Sequence, residues 1–220
     1  MRRVFFDFDG TLVDSKPRLY RLFSDLVADH GLSFEEYWEM KRSQIGHEII
    51  LSSTLGRTAD QVQKFQMEWM RLIEETEYLA LDSPFPGVER MLRDLKNNGM
   101  SIHLVTARQF EDQADWQLQR LGWASLFDSV MVTGQRAEKE ALIRATVGSL
   151  SLNDIMIGDT GKDIQCGNSL GLITVAVLSG FRSRKAIEAY LPDYVFESVT
   201  DIDFAKIRPR CQVSPPNPKD

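Results

Sequence analysis

The sequence predicts an α/β protein: a parallel sheet covered by helices on both faces, with a compact bundle of helices inserted after the first strand. Three observations carry that reading. The apolar run Val4-Phe5-Phe6 ends abruptly in Asp7-Phe8-Asp9-Gly10-Thr11. From residue 16 to residue 83 only helical periodicity occurs. Beyond the break Ser83-Pro84-Phe85-Pro86-Gly87, short apolar runs alternate with amphipathic stretches, the pattern of a helix-covered parallel sheet.

Taken in order, the first strand should place Asp7 and Asp9 on one side and Phe8 on the other, because successive side chains alternate. Gly10 lets the chain turn sharply and approach a ligand. Ser15 is expected to cap the next helix, in which Leu19, Leu22, Phe23, Leu26 and Val27 form an apolar stripe that Gly31 ends. Further helices are expected over 34–43 and 47–55. A long one follows over 58–79, opened by the capping-box pattern Thr58-Ala59-Asp60-Gln61. After the proline-rich break, helices are expected over 88–98, 109–121, 137–147, 162–170 and 183–191. Strands are expected over 101–105, 129–132, 154–157, 173–178 and 194–196. This divides the chain into an α/β core (1–15 and 84–207), a helical unit (16–83) and a tail (208–220). The tail holds four prolines and little that could pack, so disorder is expected there.

The bulk composition sets the function classes. With 220 residues there is room for one core and a small accessory unit, and 43% apolar with 26% charged residues is ordinary for a soluble globular protein. A net charge of −6 argues against nucleic acid, whose phosphates want a basic face. Cys166 and Cys211 lack metal or redox spacing and suggest a reducing compartment, with Cys166 buried in a helix. No apolar run is long enough to cross a membrane. The first strand begins too early to leave room for a signal peptide, which predicts a cytoplasmic protein.

Four stretches carry chemistry. A buried carboxylate is costly unless it shares a cation or a proton, or meets water, so Asp7 and Asp9 need an explanation. A plain polar turn is one. A calcium loop fails, because Thr11, Leu12 and Val13 stand where oxygen ligands should alternate. A nucleophilic aspartate beside a second aspartate and a metal is the third. Thr106 closes a strand, where a hydroxyl either caps a helix or meets a ligand. Lys139 stands in the first turn of a helix against the macrodipole, as a solvated cation or as a fixed ammonium among carboxylates. Gly158-Asp159-Thr160-Gly161-Lys162-Asp163 again ends a strand in acid. It is not a P-loop, because its glycines are too close and Asp163 replaces a hydroxyl residue.

In this order the four stretches resemble the motifs of the haloacid dehalogenase superfamily. The likeness is to the group similar to phosphoglycolate phosphatase and β-phosphoglucomutase, and Asp7 through Ser15 match the first motif almost completely. The resemblance spans Arg3 to about Asp193. It implies a Rossmann-like three-layer core, a small α-helical cap over residues 16–83, and a Mg2+-dependent phosphatase acting on a small phosphorylated metabolite. It further implies that Asp7 is the nucleophile that becomes an aspartyl-phosphate, and that Asp9 is the general acid and base. Thr106, Ala107, Gly10 and Lys139 would bind phosphate. Asp7, Asp159 and the backbone carbonyl of Asp9 would hold the metal, with Asp163 supporting them.

Two positions depart from the family. Ala107 stands where asparagine is common, and Lys139-Glu140 replaces the Lys-Pro usual in phosphoglycolate phosphatases. Asp9 favours phosphate esters over halides, since a halide leaving group needs no proton. In the cap, Arg18, Lys41, Arg42 and His47 are the candidates for substrate contact. Trp38 and Trp69 are expected in the cap's core, His30 at a helix end on the surface, and His103 in a structural place. No nucleic acid or membrane partner is implied, and the chain would act as a monomer or homodimer. A sugar phosphomutase on the same scaffold, or a catalytically silent binding protein, are the alternatives.

Overall fold

The computed structural model describes residues 2–209. The chain opens with β1 (Arg3–Phe6) and β2 (Val13–Asp14). A helical insertion follows: α1 (Lys16–Leu26), α2 (Phe34–Arg42), α3 (His47–Ile49) running into a π-helical turn (Ile50–Thr54), α4 (Ala59–Leu72) and α5 (Thr76–Leu79). After β3 (Ser83–Pro84) the alternation begins, with α6 (Val88–Asn97), β4 (Ser101–Thr106), α7 (Glu111–Leu121), β5 (Ser129–Val132) and α8 (Lys139–Val147). It continues with β6 (Ile155–Gly158), α9 (Gly161–Ser169), β7 (Ile173–Val177), α10 (Arg184–Glu188) and β8 (Tyr194–Phe196). The tail from residue 210, with Cys211, lies outside the described residues. No described helix is long and apolar enough to cross a membrane.

The main sheet runs β5-β4-β1-β6-β7-β8 with every pair parallel. Val4 of β1 faces Ile102 on one side and Ile155 on the other. The chain builds outward from β1 through β4 to β5 and then returns to place β6 against β1. The strand order therefore reverses at β1, the place where open α/β sheets bind ligands.

Alternation explains why the central strands read as continuous apolar runs. Val4, Phe6, Ile102, Leu104, Ile155 and Ile157 share one core with Leu92, Trp123 and Val199. Phe5, Val105 and Met156 turn to the opposite core with Ile143, Cys166 and Leu172. Burial pushes the Cys166 thiol up to about 12, which leaves it an inert packing residue. His103 is buried, stacks on Phe5 and bonds the hydroxyls of Ser101 and Ser129, a structural role.

The insertion has a core of its own, built on Phe23, Tyr37, Trp38, Ile50, Leu51 and Phe65. Its two chain crossings lie side by side, because β2 and β3 pair antiparallel, Val13 with Pro84 and Asp14 with Ser83. Neither short strand is visible as a sequence pattern.

Three local expectations are corrected. The helix expected over 58–79 keeps its capping box at Thr58 and Gln61 but breaks after Leu72, with Glu75 extended. The cause is tertiary: Glu74 turns away to bond the amides of Gln109 and Phe110. The first helix stops at Leu26 rather than near Gly31, and Ser15 does not cap it, because its hydroxyl donates to Asp9 instead. His30 is half-buried rather than a surface residue. It bonds the Ser24 hydroxyl, accepts from the Leu32 amide and packs on Tyr20 and Phe23.

Candidate active site

The carboxyl ends of β1, β4 and β6 lie next to one another, so the residues just beyond them are forced together. The Asp7 amide donates to the Ile157 carbonyl at 2.9 Å, which extends the β1–β6 ladder by one residue and fixes the direction of the Asp7 side chain. Lys139, buried at the start of α8, reaches Asp7 Oδ1 and Asp163 Oδ1, both at 2.6 Å. It is therefore not a solvated cation. The Thr160 amide and hydroxyl hold the other oxygen of Asp163 at 3.1 and 2.6 Å. The Phe181 amide holds Asp159 Oδ2 at 2.8 Å, and Asp159 Oδ1 is buried with no hydrogen-bond partner.

Two glycines make room for Asp159. A Cβ on Gly180 would lie 2.0 Å from its Oδ2, and one on Gly10, whose φ is +82°, would lie 2.7 Å away. Gly10 is thereby moved from the role expected of it. Its N–H is taken by the Val13 carbonyl at 2.8 Å, and it supports Asp159 rather than facing the pocket.

Burial raises the Asp7 carboxyl to about 7; the Lys139 ammonium opposes that rise, while Asp163 and Asp9 add to it. Burial together with Asp7 and Asp163 pushes Asp159 well above the usual carboxylate range. Burial alone would lower Lys139, but Asp163 and Asp7 hold it above its ordinary value. Three buried carboxylates around one ammonium thus cannot all stay ionised without a further cation. Asp7, Asp159 and Asp163 each offer an oxygen within 4.8 Å of one another. This hard-oxygen set, with the unpartnered Asp159 Oδ1, fits a small divalent cation such as magnesium.

Asp9 is treated in the opposite way. Its carboxylate accepts from Arg108 Nε at 3.0 Å and Nη2 at 2.9 Å, from the Ser15 hydroxyl at 2.6 Å, and from Arg18 Nη2. Although burial opposes it, Arg108 and Arg18 hold Asp9 below the ordinary carboxylate range. The same two arginines reach Asp82, at 3.0 Å from Arg18 and 3.4 Å from Arg108, where burial raises the carboxyl to about 6. Asp82 stands where the chain leaves the insertion and Arg18 where it enters, so this array ties both crossings to Asp9.

The resulting pocket measures about 280 Å³. Asp7, Asp9, Thr106, Ala107, Lys139, Asp159 and Asp163 line it from the core. Arg18, Leu19, Trp69, Ile73 and Glu74 line it from the insertion, and Phe181 and Gln135 from loops. Trp69 is thus both a member of the insertion's core and part of the pocket wall, whereas Trp38 is packed away against Phe181.

Of the four expected cap contacts, only Arg18 lines the pocket. Arg42 is exposed on α2 and Lys41 lies off the wall. His47 is enclosed by Tyr37, Phe23, Phe65 and Trp69 in the insertion's core. Helical charges point wherever their face points, and no sequence rule aims them at a distant strand end. Arg108, Glu74 and Asp82 have no role in the sequence reading. Arg108 alone left a signal, being a cation two residues past a strand-ending threonine.

The family model for haloacid dehalogenase-like hydrolases matches residues 4–177. A phosphoglycolate phosphatase of Synechococcus elongatus is 27% identical over 210 residues, covering 92% of this chain and 95% of that protein. The pyrophosphatase PpaX of Oceanobacillus iheyensis is 23% identical over 208 residues, with 92% and 95% covered. In three dimensions, a haloacid dehalogenase-like family hydrolase of Streptococcus pneumoniae superposes with a TM-score of 0.73 at 21% identity, covering 91% of this chain and 96% of that one.

Proposed function

The chain belongs to the haloacid dehalogenase-like hydrolases, and from that premise we propose that it is a magnesium-dependent phosphatase of a small phosphorylated metabolite. The observation that carries the reading is the buried arrangement in which Lys139 bridges Asp7 and Asp163 beside the unpartnered oxygen of Asp159.

In the proposed reaction Asp7 Oδ2, which Lys139 does not bind and the Thr11 hydroxyl approaches only at 3.5 Å, attacks phosphorus in line. An Asp7–phosphorus bond forms as the bond to the leaving oxygen breaks, giving an aspartyl-phosphate. Lys139 and Thr106 stabilise the phosphoryl oxygens, where charge accumulates in such transfers. Bound by Asp7, Asp159 and the backbone carbonyl of Asp9, Mg2+ would neutralise further charge on those oxygens. Asp9 supplies the proton to the leaving oxygen. It then takes one from the water that attacks phosphorus and frees Asp7.

In the resting arrangement Asp9 is ionised by its arginines, the form the second half-reaction needs. Loading its proton for the first half-reaction would follow when the substrate's negative charge competes for Arg108. The insertion would act as a cap. Glu74 bonding the Gln109 and Phe110 amides, with the Gln109 side-chain amide donating to the Met70 carbonyl at 2.8 Å, would hold it down over the pocket. Phosphoglycolate and pyrophosphate, the compounds named by the relatives, are both compact enough to be tested first.

The test is p-nitrophenyl phosphate hydrolysis with magnesium and with a chelator. Release should require the metal, and Asp7→Asn should abolish it, by about 10⁴-fold or more, while melting remains cooperative. Wild-type turnover in the Asn variant would remove Asp7 from the reaction.

A further inference from the structure

The loop between β5 and α8, Thr133-Gly134-Gln135-Arg136, does more than deliver Lys139. It is bonded to Thr106, which ends β4, and to the two residues that follow it. The Thr133 amide donates to the Thr106 carbonyl at 3.0 Å, and the Gly134 amide to the Arg108 carbonyl at 2.9 Å. The carbonyl between them, that of Ala107, is taken by the side-chain amide of Gln135. The backbone amide of Gln135 is occupied elsewhere, by the Thr133 hydroxyl at 3.3 Å.

To make this bridge the loop adopts two successive left-handed residues, Gly134 at φ +61° and Gln135 at φ +58°. The second is a residue type that seldom goes there, and such backbone persists only where surroundings enforce it.

The bridge lies between two cavities. On one side is the catalytic pocket of about 280 Å³, on the other a polar pocket of about 260 Å³ that also holds Arg136, Glu138 and Gln165. Ala107, Gln135, Lys139 and Lys162 line both; the Lys139 ammonium is turned to Asp7 and Asp163, whereas the Gln135 side chain is bonded across to Ala107.

We propose that Gln135 is a specificity-determining wall: by bridging to Ala107 it confines the leaving group to the catalytic pocket. A polyol too large for that pocket would extend into the polar one only once the bridge is removed. The inference rests on the phosphatase reading and names its substrate class as phosphate esters of compact alcohols.

Glycerol 3-phosphate and glucose 6-phosphate test it, since both are primary-alcohol esters with neutral polyol leaving groups and differ mainly in size. Two variants keep the left-handed backbone. Gln135→Gly accepts it freely, and Gln135→Asn tolerates it and retains an amide one methylene too short to reach Ala107. In both, the ratio of kcat/KM for the hexose ester to that for the glycerol ester should rise about tenfold over wild type. An unchanged ratio, or an equal fall for both esters, would overturn the wall; the equal fall would mark Gln135 as a support for Lys139.

If the wild-type protein hydrolyses neither ester nor p-nitrophenyl phosphate, the phosphatase reading fails by itself. The wall is then read by melting temperature in the presence of magnesium. Glucose 6-phosphate should stabilise the glycine variant more than wild type, with inorganic phosphate stabilising both alike. Equal stabilisation by the hexose ester would reject it.

Discussion

The strand ends and the aromatic core of the helical insertion enclose polar side chains by opposite means. At the sheet ends, charges are kept as charges: Lys139 sits between Asp7 and Asp163, and Asp9 between Arg18 and Arg108. In the aromatic core of the helical insertion, the half-buried His47 is instead kept neutral. His47 Nε2 lies 2.7 Å from the Tyr37 hydroxyl, with Trp69 and Phe65 ring centroids 4.3 and 5.1 Å away, and burial pushes the imidazole down to about 3. Nearby Lys41, which burial and then Arg182 lower to about 8, faces no acid partner among the described residues. An ion pair held in a fixed frame can act on a substrate charge. A neutral aromatic cluster can only hold a shape. The proposed function assigns the first arrangement to catalysis and the second to a cover.

Substitutions can break this comparison. The largest effect is expected from Lys139→Met, which leaves Asp7 and Asp163 buried without their cation and should cost about 3–5 kcal/mol at pH 8. Lys41→Met, which removes a partly buried cation with no acid partner, should cost nothing measurable. Urea unfolding of both variants checks this, and equal losses would erase the distinction between the two regions.

A smaller effect is expected from pH. The folded value of His47 lies below its unfolded 6.5, so the stability it permits is complete above pH 6.5 and is lost as pH falls toward 3. By pH 5 that loss is about 2 kcal/mol. Denaturant midpoints at pH 7 and pH 5 should show it in wild type and less of it in His47→Gln. The same slope in both would place the titration elsewhere.

How much of this was legible in the sequence follows the same division. The strands and their order of appearance were readable, because branched and aromatic runs between glycine stops leave few alternatives. The residues at strand ends were equally readable: Asp7, Thr106 and Asp159 converge because three adjacent parallel strands must end together. Lys139 was legible from its misfit with a helix start. Arg108, Asp82 and Glu74 were not, since each owes its place to a contact across more than 25 residues that no local period encodes. The break at Glu75 and the failure of Ser15 to cap have the same origin. Each is a local preference overruled by a buried partner. The expectations for Lys41, Arg42 and His47 went astray because a charge on a helix declares its face but not what that face meets.

The proposed reaction requires above all that Asp7 carry the transferred phosphoryl group. Acid quench during turnover of p-nitrophenyl phosphate with magnesium, followed by borohydride reduction, converts an aspartyl-phosphate to homoserine. Mass spectrometry of the peptide spanning residues 4–16 should find homoserine at position 7 and unchanged aspartate at positions 9 and 14. Homoserine at either of those positions, or at none in an enzyme that is turning over, would contradict it.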